Sequence, residues 1–156
     1  MRTIVTAAAV AAGLIAGGLA NPGDAAAKDV TWATMKDWWS GRDKSVKEVA
    51  GATAVDAKKA KKLFDEGITF VDPRSDSDWQ AGRIPWAQHL ELHNDFNQKA
   101  LKKIVKKDEP VLFYCNGPEC FRSSKAARAA VKMGWDKVYY FRGGFPAWKA
   151  AGYPTE

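Results

Sequence analysis

Cysteine and histidine are scarce in this chain of 156 residues, with two of each. Two cysteines cannot build a disulfide framework of the kind that holds small secreted folds together. Two histidines without a cysteine cluster leave no ligand set for a structural zinc ion. There is no internal repeat, and no low-complexity tract beyond the first residues. Past Ala20 no uncharged run is long enough to cross a bilayer. Acidic residues are the minority charge, 18 against 24 Lys and Arg, for a formal net charge of +6. That balance favours anionic ligands or partners. Much of the excess lies in Lys58 to Lys62 and Lys102 to Lys107, where lysines alternate with apolar residues in the manner of solvated helix faces rather than a nucleic-acid patch. With 46% apolar and 27% charged residues the composition is that of a globular protein, and the length suits one domain plus a short extension.

Met1-Arg2, an uncharged Ala- and Gly-rich run from Ile4 to Ala20, a break at Asn21-Pro22-Gly23 and the small residues Ala25-Ala26-Ala27 together predict a cleavable signal peptide over residues 1–27. Export of this bacterial-looking kind predicts a periplasmic protein with no membrane span after cleavage, in a compartment where disulfides persist. Residues 28–51 form an N-terminal extension. Trp32, Met35 and Trp39 fall at helical spacing there, a stripe that either packs on the chain's own domain or docks another protein.

From Ala52 the chain alternates between strand and helix signals. Strands are predicted over 52–55, 68–71, 88–92, 111–115 and 138–141. Helices are predicted from Ala57 after an Asp56 cap, from Asn94 as a cap to about Lys106, from a Ser123 or Ser124 cap through Lys132, and over 145–150. The stretch 79–87 is predicted to be loop. Apolar strands alternating with helices predict an α/β fold: one open parallel sheet, in a single domain, with helices on both faces. Trp79, Trp86, Trp135 and Trp148 are expected to pack the ends of that sheet rather than stack on nucleic acid. His89 and His93 flank a predicted strand, where their spacing does not make a metal pair.

Open α/β sheets bind ligands beyond the carboxyl ends of their strands, and Cys115 falls at such an end. The loop after it, Asn116-Gly117-Pro118-Glu119-Cys120-Phe121, runs into a helix start carrying Arg122 and Ser123. Loop amides, a helix N-terminus and an arginine all favour negative charge and lower the pKa of a thiol. The pattern describes an anion cradle around a nucleophilic Cys115. The bland alternative is an inert cysteine at the end of a core strand.

The order Phe70-Val71-Asp72-Pro73-Arg74, Gly82-Arg83-Ile84-Pro85-Trp86-Ala87, Val111 to Cys115, Arg122-Ser123-Ser124 and Gly143-Gly144-Phe145-Pro146-Ala147-Trp148 resembles a single-domain rhodanese, over about residues 52–154. The resemblance implies a rhodanese-like fold over residues 52–156. It also implies a sulfurtransferase that moves sulfane sulfur from a thiosulfate-like anion to a thiol, cyanide or carrier-protein acceptor through a persulfide on Cys115, without metal or organic cofactor. By the same resemblance Asn116 to Glu119 and Phe121, with Arg122 and Ser123, hold the anion, and Asp72 and Arg74 are a structural pair near the sheet's edge.

The chain departs from the family pattern at Pro73, at Arg83 where a histidine is usual, at Trp86 where a glycine is usual, and in the length of its cysteine loop. That loop is longer than in the family's sulfurtransferases and in phosphatases of the same fold, so it would admit a larger anion or an organic donor. Cys120, inside the loop, has three readings: a resolving or sulfur-relay thiol, a disulfide partner of Cys115, or a bystander. A sulfur-carrier or redox-partner binding module, or a thiol–disulfide protein using Cys115 and Cys120, are the functional alternatives. Glu119 would repel an anion and is expected to face solvent or Arg122.

Overall fold

The protein is described by a computed structural model covering residues 46–156. The predicted leader and the Trp32, Met35 and Trp39 stripe lie outside the described residues. Five strands, β1 (Ala52–Val55), β2 (Thr69–Asp72), β3 (Gln88–His89), β4 (Val111–Tyr114) and β5 (Val138–Phe141), form one parallel sheet in the order β1-β5-β4-β2-β3. The helices are α1 (Ala57–Asp65), α2 (Asp76–Gln80), α3 (Gln98–Ile104), α4 (Arg122–Lys132) and α5 (Gly144–Ala150).

The two-residue period of the strands sends alternate side chains to two separate cores. Phe70, Leu112, Tyr114 and Phe141 face Ala60 and Leu63 of α1 and Phe145 and Trp148 of α5. Val71, Val111, Phe113, Val138 and Tyr140 face Leu101 of α3 and Ala126, Ala127 and Ala130 of α4. Val46 and Val49, at the end of the predicted extension, pack in this second layer, and the Tyr140 hydroxyl donates to the Val46 carbonyl at 2.9 Å. Helix α1 starts where expected because the Asp56 carboxylate accepts the Lys59 amide at 2.8 Å. Its lysines face outward while Ala60 and Leu63 are buried.

Four local expectations are corrected. Strand β3 is only two residues long, because the buried Glu91 carboxylate accepts the amides of His93 (2.9 Å) and Asn94 (2.8 Å) and folds the chain into a turn. Asn94 lies in that turn, before the next helix begins. Asn97 caps α3 instead, accepting the Ala100 amide at 2.8 Å. Ser75 caps α2 in a stretch partly read as loop, and Asp76 and Asp78 complement the helix dipole. Ser123 and Ser124 do not cap α4; both are buried inside its first turn, and Phe121 occupies the cap position without a side-chain bond.

Trp135 and Trp148 are buried as expected, and Trp79 stacks on His89 with centroids 4.8 Å apart. Trp86 departs from the expectation. It is 79% exposed, stacks on Phe64 and holds a left-handed φ of 59° where the rhodanese pattern that the chain resembles has glycine. A bulky residue in that conformation costs about 1–2 kcal/mol.

Trp148 is fully buried, touches Phe64, Phe70 and Tyr153, and donates its indole N–H to the Pro154 carbonyl at 2.7 Å. Trp148→Ala should cost roughly 3–5 kcal/mol. Urea unfolding should show a lower midpoint at unchanged slope, and a loss below about 1 kcal/mol would contradict this packing.

Candidate functional site

Strands β2 and β4 are neighbours, but the chain leaves β2 toward β3 and leaves β4 toward β5. The crevice beyond their carboxyl ends is therefore the topological switch point at which such sheets bind ligands. Cys115 follows directly on β4 and is fully buried there. Asp72 and Arg74 come from the end of β2, and Arg142 follows β5 in line with Cys115, since Phe141 pairs with Tyr114.

The loop owes its shape to its sequence. The Cys120 amide donates to the Gly117 carbonyl at 3.0 Å, closing a four-residue turn with Pro118 at the second position, where its fixed φ is favoured. Gly117 opens that turn at φ 108°, a value side chains avoid. The turn returns Cys120 to within 6.2 Å of Cys115, Cα to Cα, and the two cysteines are joined in a disulfide. Cys115 is completely covered and Cys120 half-buried, while Asn116, Pro118 and Glu119 are exposed. Gly144, at φ 59°, lies so close that a Cβ there would overlap the Cys115 carbonyl, which accepts the Phe145 amide at 2.8 Å. The Gly143-Gly144 segment thus forms the wall behind the cysteine.

Among the described residues the amides of Gly117, Glu119 and Phe121 make no hydrogen bond. The Nε atoms of Arg122 and Arg142 and the Ser123 hydroxyl are buried without a partner. Buried donors in this state are rare and suit an incoming acceptor. The structure thus brings together the sequence-predicted residues from Cys115 to Ser123. Glu119 faces solvent at the outer corner of the loop. Phe121 lies under the ammonium of Lys125, 4.3 Å from its ring centroid, and 5.6 Å from the guanidinium of Arg122.

Two contributors were missed by sequence reasoning. Arg142 carries no motif of its own beyond standing before Gly143-Gly144. Arg74 was placed as a structural partner of Asp72, and it is one: its Nε and Nη2 donate to the carboxylate at 2.6–2.9 Å. It also donates from Nη1 to Asn116 Oδ1 at 3.1 Å and from Nη2 to the Gly82 carbonyl at 2.8 Å. Burial alone would lower the Arg74 pKa, but the bonds and charge of Asp72 outweigh it and the net shift is upward. His89 is held by the Asp72 carbonyl and Asp76, and among the described residues no group of three His, Cys, Asp or Glu could hold a metal. A cavity of ≈ 220 Å³ lined by Phe64, Ile68, Phe70 and Trp86 opens at the opposite end of β2 from the cysteine.

A buried cysteine in a loop between a parallel strand and a helix, at the switch point of the sheet, is the arrangement of an open α/β protein whose ligands bind beyond the strand ends. The chain belongs to the rhodanese-like domain family, whose pattern matches residues 56–151. It is 33% identical over 89 residues to the thiosulfate sulfurtransferase GlpE of Pseudoalteromonas translucida, a match covering 57% of this chain and 80% of that protein. Among solved structures it is similar to the BH2092 protein of Bacillus halodurans, with 25% identity, a TM-score of 0.59 and coverage of 67% of this chain and 77% of that one. The rhodanese-like domain of the Anabaena Alr3790 protein gives 27% identity, a TM-score of 0.56 and coverage of 66% and 77%.

The Tyr114 hydroxyl accepts the Ile84 amide at 3.3 Å beneath this site. Burial, and then the Asp72 carboxylate, push its phenol well above the ordinary tyrosine range. A raised folded pKa leaves stability unaffected below the unfolded value, about pH 10, and removes it progressively above. The native chain should therefore lose stability above about pH 10 more steeply than Tyr114→Phe. Parallel curves in urea titrations at stepped pH would contradict it.

Proposed function

We propose that the protein is an exported sulfurtransferase that takes the outer sulfur of a thiosulfate-like anion onto Cys115. The observation that carries this reading is the buried Cys115 at the switch point, beside a loop in which the Gly117, Glu119 and Phe121 amides, with the Arg122 and Arg142 Nε atoms and the Ser123 hydroxyl, lack partners. Family membership and the name of the Pseudoalteromonas relative support it. With the disulfide reduced, the Cys115 thiolate attacks the outer sulfur of the donor. A new S–S bond forms, the donor's S–S bond breaks, and sulfite leaves with the bonding pair. Positioned donors stabilise the oxygens of the departing anion. A thiol, cyanide or a redox protein then accepts the sulfur. The uncharged leader followed by small residues supports a periplasmic setting.

The Cys115–Cys120 bond favours one second reading, a thiol–disulfide protein that never handles sulfane sulfur. The two separate on sulfite. The reduced chain mixed with thiosulfate should release sulfite in a stoichiometric burst, and Cys115→Ser should release none. A burst surviving in Cys115→Ser would move the nucleophile elsewhere, and no burst from the native chain would favour the second reading. Arg122→Ala should weaken apparent thiosulfate binding by about 1–3 kcal/mol, read from KM, since a charge-assisted contact is lost. An unchanged KM would show that Arg122 does not reach the anion.

A further inference from the structure

We propose that Cys120 ends the sulfur-transfer cycle inside the chain: it attacks the Cys115 persulfide, expels hydrosulfide and leaves the Cys115–Cys120 disulfide, so that the protein reduces thiosulfate to sulfite and sulfide at the expense of an external dithiol. This rests on the Cys115 persulfide reading and names the acceptor and the product.

Two features of the site carry it. First, the Gly117–Cys120 turn, with Pro118 inside it, delivers the second cysteine to the first, and the two are bonded in the structure. A nucleophile held in position competes with external ones through a high effective concentration. Second, Cys115 is fully buried, so a protein thiol has poor access to sulfur carried on it, whereas Cys120 is half-buried on the outer side of the loop. A reductant then attacks the more accessible Cys120 sulfur, and Cys115 leaves as the thiolate.

The electrons balance. In the first step the Cys115 thiolate takes the outer sulfur of thiosulfate, and sulfite departs. In the second, the Cys120 thiol loses its proton and its sulfur bonds to the Cys115 sulfur. The persulfide S–S bond breaks, and the terminal sulfur leaves with the pair and the proton as hydrosulfide. The two cysteines are now oxidised and the sulfane sulfur is reduced to sulfide. In the third step a dithiol is oxidised to its disulfide and returns both cysteines to thiols. The sum is thiosulfate plus dithiol giving sulfite, hydrosulfide, a proton and the oxidised dithiol.

The test is a single turnover of the reduced full chain, freed of reductant under anaerobic conditions and mixed with thiosulfate, with sulfite, hydrosulfide and intact mass measured together. The native chain should release sulfite and hydrosulfide in equal amounts and end two hydrogens lighter, with no added sulfur. Cys120→Ser should still release sulfite, which also reports that it is folded, but lose hydrosulfide release to background and keep one extra sulfur. Equal sulfite bursts with a stable one-sulfur adduct and a free Cys120 thiol in the native chain would overturn this proposal and leave the sulfurtransferase reading intact. Absence of sulfite from both chains would overturn the persulfide reading and this proposal with it.

Discussion

One buried cation ties the functional end of the sheet together. The Arg74 side chain is 3% exposed and its partner Asp72 not at all. A guanidinium taken out of water is tolerable only if a counter-charge and acceptors replace the lost hydration. Asp72 supplies the charge in a two-pronged contact, and the remaining donors have nowhere to go except Asn116 Oδ1 and the Gly82 carbonyl. The planar group also lies over Phe145, 4.9 Å from the ring centroid, and 5.6 Å from that of Tyr114. The end of β2, the connection into β3, the first residue of the cysteine loop and the start of α5 are thus positioned by a single charge. Removing one partner of such a pair costs about 3–5 kcal/mol, because it strands the other.

The chemistry inherits this arrangement from both sides. Arg74 fixes the loop's entry at Asn116, and the Gly117–Cys120 turn fixes its course. The loop's exit is α4, whose first turn sits on the sheet with Ser123 and Ser124 buried. Between entry and exit the extra length is taken up by the proline turn. That turn puts a second sulfur beside the first, and the unbonded Gly117, Glu119 and Phe121 amides lie on the same short segment.

Strands β1 and β5 were legible in the sequence to the residue, because each is an unbroken run bounded by turn or cap residues. The position of Cys115, buried directly after β4 and before a Gly-Pro loop, was legible as well. What escaped is non-local. Nothing in Gln88 to Leu92 reveals that Glu91 will fold back on the next two amides and shorten β3. Ser123 and Ser124 look like caps, yet their burial in the second core is decided by the sheet beneath α4. Arg74 and Asn116 are 42 residues apart, and their contact depends on β2 and β4 becoming neighbours. Arg142 acquires a place at the site only through the register of β5 with β4. Trp86 was misplaced because its aromatic character suggests packing, whereas the turn gives it a left-handed backbone and an outward position.

The claim that Arg74 holds the cysteine loop to the sheet is most directly tested by backbone hydrogen exchange of the full chain carrying Arg74→Lys, since an ammonium cannot reproduce the forked contact. Loss of the forked contact should speed exchange at the hydrogen-bonded Cys120 amide of the loop, and again around Gly82 to Ile84, with α1 unchanged. Exchange that accelerates only at the end of β2, with the cysteine loop as protected as in the native chain, would contradict it.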